Sequence, residues 1–154
     1  MASSLPTSTP VIDTQNDLDS LVQAFEEGSL PKTSWTHAAH VAVGANYVSL
    51  HGEQAALERM RQRVRAYNES VGTVNSATSG YHETLTRLWI AVLARLRHEE
   101  QTASHLAFVQ RAVTLYGDRR DLHRKFYNFD VVKHTEARQA WMEPDYWPYC
   151  GIIS

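Results

Sequence analysis

Between Trp35 and Leu50 the chain reads WTHAAHVAVGANYVSL, without a single Asp, Glu, Lys or Arg. A helix apolar around its whole circumference must be enclosed by protein or by lipid. This one falls short of the roughly 20 residues a bilayer span needs, so it predicts a central, buried helix. Thr33 or Ser34 stands ready to cap its start.

The flanking segments supply the enclosure. Leu18, Leu21, Val22 and Phe25 recur at three- and four-residue steps and Gly28 follows, which predicts a helix over 14–27. Over 53–71, Leu57, Met60, Val64, Tyr67 and Val71 form one stripe among Glu and Arg, an amphipathic outer helix. The small, polar run 73–80 reads as a loop. A fourth helix runs over 81–97 on Leu85, Leu88, Val92 and Leu96, and a fifth opens at Thr102 or Ser104 and closes at Gly117. A last short helix runs from Thr135 to about Met142, before Pro144. Strand patterning is sparse, so the expected fold is all-α: a single-domain bundle of five to six helices over 13–154, built around the second and fourth, with 1–12 as a loose arm. The aromatic tail after Asp145 is expected to pack back onto the body.

Composition narrows the function. Lys plus Arg is 15 against 17 for Asp plus Glu, so no global basic field draws the chain to nucleic acid or anionic lipid. The sole cysteine, Cys150, leaves metal chemistry to histidine and carboxylate. With no run apolar enough to span a membrane, the expectation is a cytoplasmic protein with a small-molecule substrate and no nucleic-acid or membrane partner; a homodimer is left open.

Two segments carry the chemistry. His37 and His40, three apart, share a helix face in the opening turns, where the dipole and burial both favour the neutral ring a metal requires. Gly80-Tyr81-His82-Glu83-Thr84 places a His and a Glu at the start of the other core helix. If these helices run parallel or cross steeply, His37, His40 and His82 meet. Glu83 then serves as fourth ligand or general base, with Thr86 and Arg87 beside it. Read structurally instead, the histidines bond to main chain, Glu83 is the third helical residue after a Gly80 cap, and Thr86 bonds back to its own helix. Trp35, Tyr47, Tyr81 and Trp89 suit a mainly apolar organic ligand, and Arg124, in the basic run with Arg119, Arg120 and Lys125, suits an anionic group on it. Trp35 and Trp89 serve equally as core, and the basic run as a solvated turn. His51 and His98 read as surface or capping residues, His105 as core packing, and His123 and His134 as lesser site candidates.

Trp35-Thr36-His37-Ala38-Ala39-His40, Ser79-Gly80-Tyr81-His82-Glu83-Thr84-Leu85-Thr86-Arg87 and Glu136-Ala137-Arg138-Gln139-Ala140-Trp141 together resemble a family of small all-helical proteins of about this length. Their pattern is Trp-Thr-His-x-Ala-His, Ser/Gly-Gly-Tyr-His-Glu-Thr-x-Thr-Arg and Glu-Ala-Arg-x-x-Trp. The resemblance covers most of the chain after residue 30. It implies that the three segments belong to one site and implies neither activity nor substrate. Family members often carry an acidic residue where Ala38 stands, so no carboxylate is required there.

The leading expectation is a small metal-dependent enzyme, an oxygenase, lyase or isomerase. In it His37, His40 and His82 hold Fe, Zn, Mn, Ni or Cu in a helical-bundle pocket. The first alternative is a metal-free isomerase, lyase or cyclase using a His/Glu acid–base pair. The second is a non-catalytic ligand-binding or interaction module.

Overall fold

The structure is a computed structural model and describes residues 9–146. Among these the chain is all helical: α1 (Gln15–Glu27), α2 (His37–His51), α3 (Glu53–Ser70), α4 (Glu83–Glu99), α5 (His105–Tyr116) and α6 (Thr135–Gln139), with short 3-10 turns at Lys32–Ser34, Leu122–Lys125 and Val131–Lys133. The expected bundle is the observed one. Part of the arm (1–8) and most of the tail, including Trp147, Tyr149 and Cys150, lie outside the described residues. The arm's last residue, Ile12, is buried, and its carbonyl accepts from Gln110 Nε2 at 2.9 Å, which ties it to α5.

α2 is the axis. Ten of the residues from Ala38 to Val48 are buried, which covers every face of the helix, and α1, α3, α4 and α5 all pack on it. Gly44 makes room for Leu93 of α4: a Cβ there would stand 3.0 Å from Leu93 Cδ1. Side chains of Leu18, Phe25, Val41, Leu88, Phe108 and Leu122 fill the surrounding core.

Helix starts differ from the sequence reading in instructive ways. α2 is capped by Thr36, whose hydroxyl accepts from Ala39 N at 3.3 Å, one turn later than Thr33 or Ser34, because 32–34 forms its own 3-10 turn. The cap of α4 is His82, not Gly80: its Nδ1 accepts from Leu85 N at 3.2 Å, which makes Glu83 the first helical residue. Ser104 caps α5 and Thr14 forms a capping box with Asp17 on α1. α6 stops at Gln139 rather than near Met142. The buried Thr84 hydroxyl donates to Ala140 O (2.8 Å) and accepts from Met142 N (3.0 Å), which holds 140–142 extended against α4.

Candidate functional site

The first turns of α2 and α4, the middle of α3 and the 118–132 segment enclose one cavity of about 520 Å³. Its walls are mainly apolar, with Val41, Met60, Val64, Ile90 and Leu93 among them. That size and character suit a small organic ligand. Trp35 and Trp89 stand in the lining as expected, as does Tyr81. Trp35 stacks on the His40 ring at 3.8 Å and on Phe25 at 4.2 Å; Trp89 meets His37 edge-on at 4.9 Å.

His37, His40 and His82 all line this cavity, so the two core helices do begin at a common place. A fourth histidine, His123, joins them from the turn after α5. Each ring is tied to the main chain. His37 Nε2 faces Tyr116 O at 3.0 Å, His40 Nδ1 faces Thr36 O at 2.7 Å, His123 Nδ1 faces Arg120 O at 3.1 Å, and His82 Nε2 faces Val131 O at 2.8 Å. A carbonyl only accepts, so the facing nitrogen carries the proton, and in a neutral ring the other nitrogen is a bare lone pair. Burial favours that neutral form in all four: it pushes His37, His82 and His123 below the ordinary imidazole range and His40 down to about 4.

The rings are not equivalent. His82 has already committed its lone pair to Leu85 N, so both of its nitrogens serve the fold. His37, His40 and His123 keep theirs. Among the described residues no group of three His, Cys, Asp or Glu side chains is arranged to hold a metal ion. The three predicted ligands thus share a cavity without converging on a point in this arrangement.

Glu83 is not in the cavity. Its carboxylate takes a fork of hydrogen bonds from Arg61 of α3, through Nε at 3.0 and 3.1 Å and through Nη2, and accepts the Tyr81 hydroxyl at 2.8 Å. Burial by itself would raise the Glu83 carboxyl, but the Arg61 and Tyr81 hydrogen bonds outweigh it and hold the group below the ordinary carboxylate range. The expected His/Glu acid–base pair is therefore replaced by a Glu83–Arg61 ion pair that joins α3 to α4. Thr86 lines the cavity, yet its hydroxyl donates to His82 O at 2.8 Å, bonding back along its own helix.

Three other expected site residues stand elsewhere. Arg87 lies over the Trp141 ring at 4.5 Å, outside the lining. Tyr47 donates to Glu26 in a polar groove between α1 and α2. Arg124 is exposed, and Arg120 takes the cavity position instead. His105 bonds Ser49 Oγ and Asn46 Oδ1 within the fold, His134 caps α6 through Ala137 N, and His51 and His98 are exposed.

Two supports went unseen in the sequence. Asn75 organises the loop ahead of α4, its Oδ1 accepting from Asn68 Nδ2 (2.9 Å) and Tyr81 N (3.0 Å) while its Nδ2 donates to Arg65 O (3.2 Å). Arg138 of α6 donates to Gly80 O (2.6 Å) and Val132 O (3.3 Å). Through Arg138 and the Arg87–Trp141 stack, the third motif segment is bound to the second, and His37 and His40 of the first face the same cavity as His82. Comparison of the chain with protein-family models, curated proteins and solved structures finds no match.

Proposed function

We propose that the protein is a small enzyme acting on a mainly apolar organic molecule, and that its chemistry is proton transfer by a neutral imidazole, the class of an isomerase, lyase or cyclase. The observation that supports this is the set of three rings, His37, His40 and His123, each with one N–H fixed on a carbonyl and each lining the same apolar-walled cavity. Fixing one nitrogen orients the ring and sets the tautomer before substrate arrives. His37 is the assigned base. His40, held at about 4, is too weak a base for efficient proton abstraction near pH 7, whereas His37 is half-buried at the start of α2 with its ring edge-on to Trp89. His82 holds the first turn of α4 in place.

Elimination of 5-nitrobenzisoxazole tests the assignment. A base removes the ring C–H proton, the electron pair forms the nitrile, and the N–O bond breaks to leave a coloured phenolate. Saturable elimination that falls at least tenfold in His37→Ala supports the reading. Binding without elimination overturns it in favour of a ligand carrier.

A divalent ion (Fe, Zn, Mn, Ni or Cu) is the second reading. Main-chain carbonyls that accept from the second ring nitrogen are usual orienting partners of metal-bound histidines, and His123 would replace His82 in the set. Elemental analysis of untagged protein separates the two. About one equivalent of metal supports the ion; less than about a tenth, with elimination retained, removes it.

A further inference from the structure

The cavity has a charge asymmetry that the imidazoles do not explain. Among the described residues no Asp or Glu stands in its lining. Of those residues, the lining ones that are exposed are Lys32, from the turn before α2, and Arg120, from the turn after α5. Every other described lining residue is buried or half-buried, so these two cations stand on the solvent-exposed rim of the cavity. Neither is in an ion pair among the described residues, although Arg61, Arg95 and Arg111 all are. Asp118 is felt at His37, and Asp130 and Asp121 at His123, but none of the three lines the cavity. The opening turns of α2 and α4 add the positive ends of two helix dipoles to the same space. Among the described residues no lining carboxylate answers that field: burial favours the neutral form of the four histidines, and the remaining walls are mainly hydrocarbon and aromatic.

We infer that the ligand is an apolar monoanion, a small acid whose carboxylate or similar singly charged group sits at the mouth with Lys32 and Arg120 while its apolar body fills the cavity against Trp35, Trp89 and Leu93. This deepens the reading above, since it names the substrate class of the same site and rests on that cavity being the site. The mouth cations sort ligands by charge, and the walls sort them by shape. The imidazole lone pairs then face a proton-bearing centre on the apolar body rather than the charged group.

Calorimetric titration with 4-butylbenzoate and with its neutral methyl ester tests this, in the wild type and in Lys32→Met/Arg120→Met. Both substituted side chains are exposed, and urea unfolding of the double variant checks that the body is intact. The expected result is at least tenfold tighter binding of the acid at low salt. That preference should shrink at high salt and fall below threefold in the double variant, with the ester's affinity unchanged. Equal affinity for acid and ester in the wild type overturns the inference, as does a preference that survives the double substitution or failure of both ligands to bind. The neutral benzisoxazole needs no mouth cation, so the two proposals fail separately. Lost elimination with the acid preference kept removes the proton-transfer reading and leaves a carrier of monoanions; kept elimination without that preference removes only the monoanion.

Discussion

Arg61 and Glu83 close the contact between α3 and the first turn of α4, the guanidinium meeting both carboxylate oxygens while Tyr81 supplies a further hydrogen bond. Glu83 is nearly enclosed, with 10% of its side chain exposed, whereas Arg61 reaches solvent at 26%. Removing one partner of such a pair leaves the other poorly solvated, so Glu83→Gln is expected to cost about 2–3 kcal/mol in urea unfolding, below the value for a fully buried pair. Elimination and ligand binding, measured at a temperature where the variant is folded, should stay within about threefold of wild type. A variant of normal stability and no activity would return Glu83 to the chemistry.

Glu83 reads from the sequence as a candidate base or as a helix-start carboxylate, and not as the partner of Arg61, for a reason of range. Helix existence follows from local periodicity, so α1 through α5 were legible from their apolar spacing, and the charge-free α2 identified the axis directly. That His37, His40 and His82 line one cavity follows from α2 and α4 both starting there, but the directions of their rings, which do not converge, are set by the carbonyls they bond and are not written in the spacing. Arg61 was not legible as a partner of Glu83, because on α3 it reads as one more residue of a charged outer face, and only the packing of α3 on α4 selects it from its neighbours. His123 and Asn75 sit outside any helical period, where pattern carries no information about direction. The stop of α6 at Gln139 is set by Thr84, more than fifty residues away in sequence.

Acid sensitivity follows from the neutral histidines. His37, His40, His82, His105 and His123 all have folded values below the unfolded one of 6.5, with burial as the leading cause. Between the two values the unfolded chain binds more protons than the native one, so stability is full above 6.5 and declines as pH falls toward the folded values. Each group adds at most about 1.4 kcal/mol per pH unit to that slope. Glu83, also depressed, contributes stability that is present above 4.5 and is lost at still lower pH. Urea unfolding should therefore be flat from pH 7 to 8 and fall steadily from 6.5 to 4. His40→Phe, which keeps a ring against Trp35, should reduce the slope by about one proton. A profile flat down to pH 4.5 contradicts the buried neutral assignment.

Gly80 is the backbone hinge that delivers Tyr81 and His82. Its φ is +77°, and a Cβ would stand 2.6 Å from Val74 O and 2.5 Å from Asn75 Oδ1. The left-handed conformation and the backbone clash add, so Gly80→Ala is expected to lose about 2–3 kcal/mol. Asn75→Ala leaves Tyr81 N and Asn68 Nδ2 without their common acceptor and should cost about 1–2 kcal/mol. Because both residues act on the same loop, the double variant should lose less than the sum of the two, which a double-mutant cycle in urea reads directly.

His82 and His37 line the same cavity but divide structure from chemistry. His82→Ala removes the cap on Leu85 N and strands the buried Val131 carbonyl, an expected loss of about 2–3 kcal/mol. His82→Asn retains a capping oxygen but lacks the reach to Val131, so it should recover about 1 kcal/mol of that loss. Neither change touches the lone pair of His37, and elimination measured well below the melting transition should stay within about threefold of wild type. His37→Ala reverses the pattern. Its ring is half-buried and holds one hydrogen bond to Tyr116 O, so stability should fall by about 1–2 kcal/mol while elimination falls at least tenfold. The two histidines are thus separable by plotting activity against unfolding free energy. If His82→Ala lost activity at intact stability, the proton-transfer role would belong to the first residue of α4's cap and not to the face of α2.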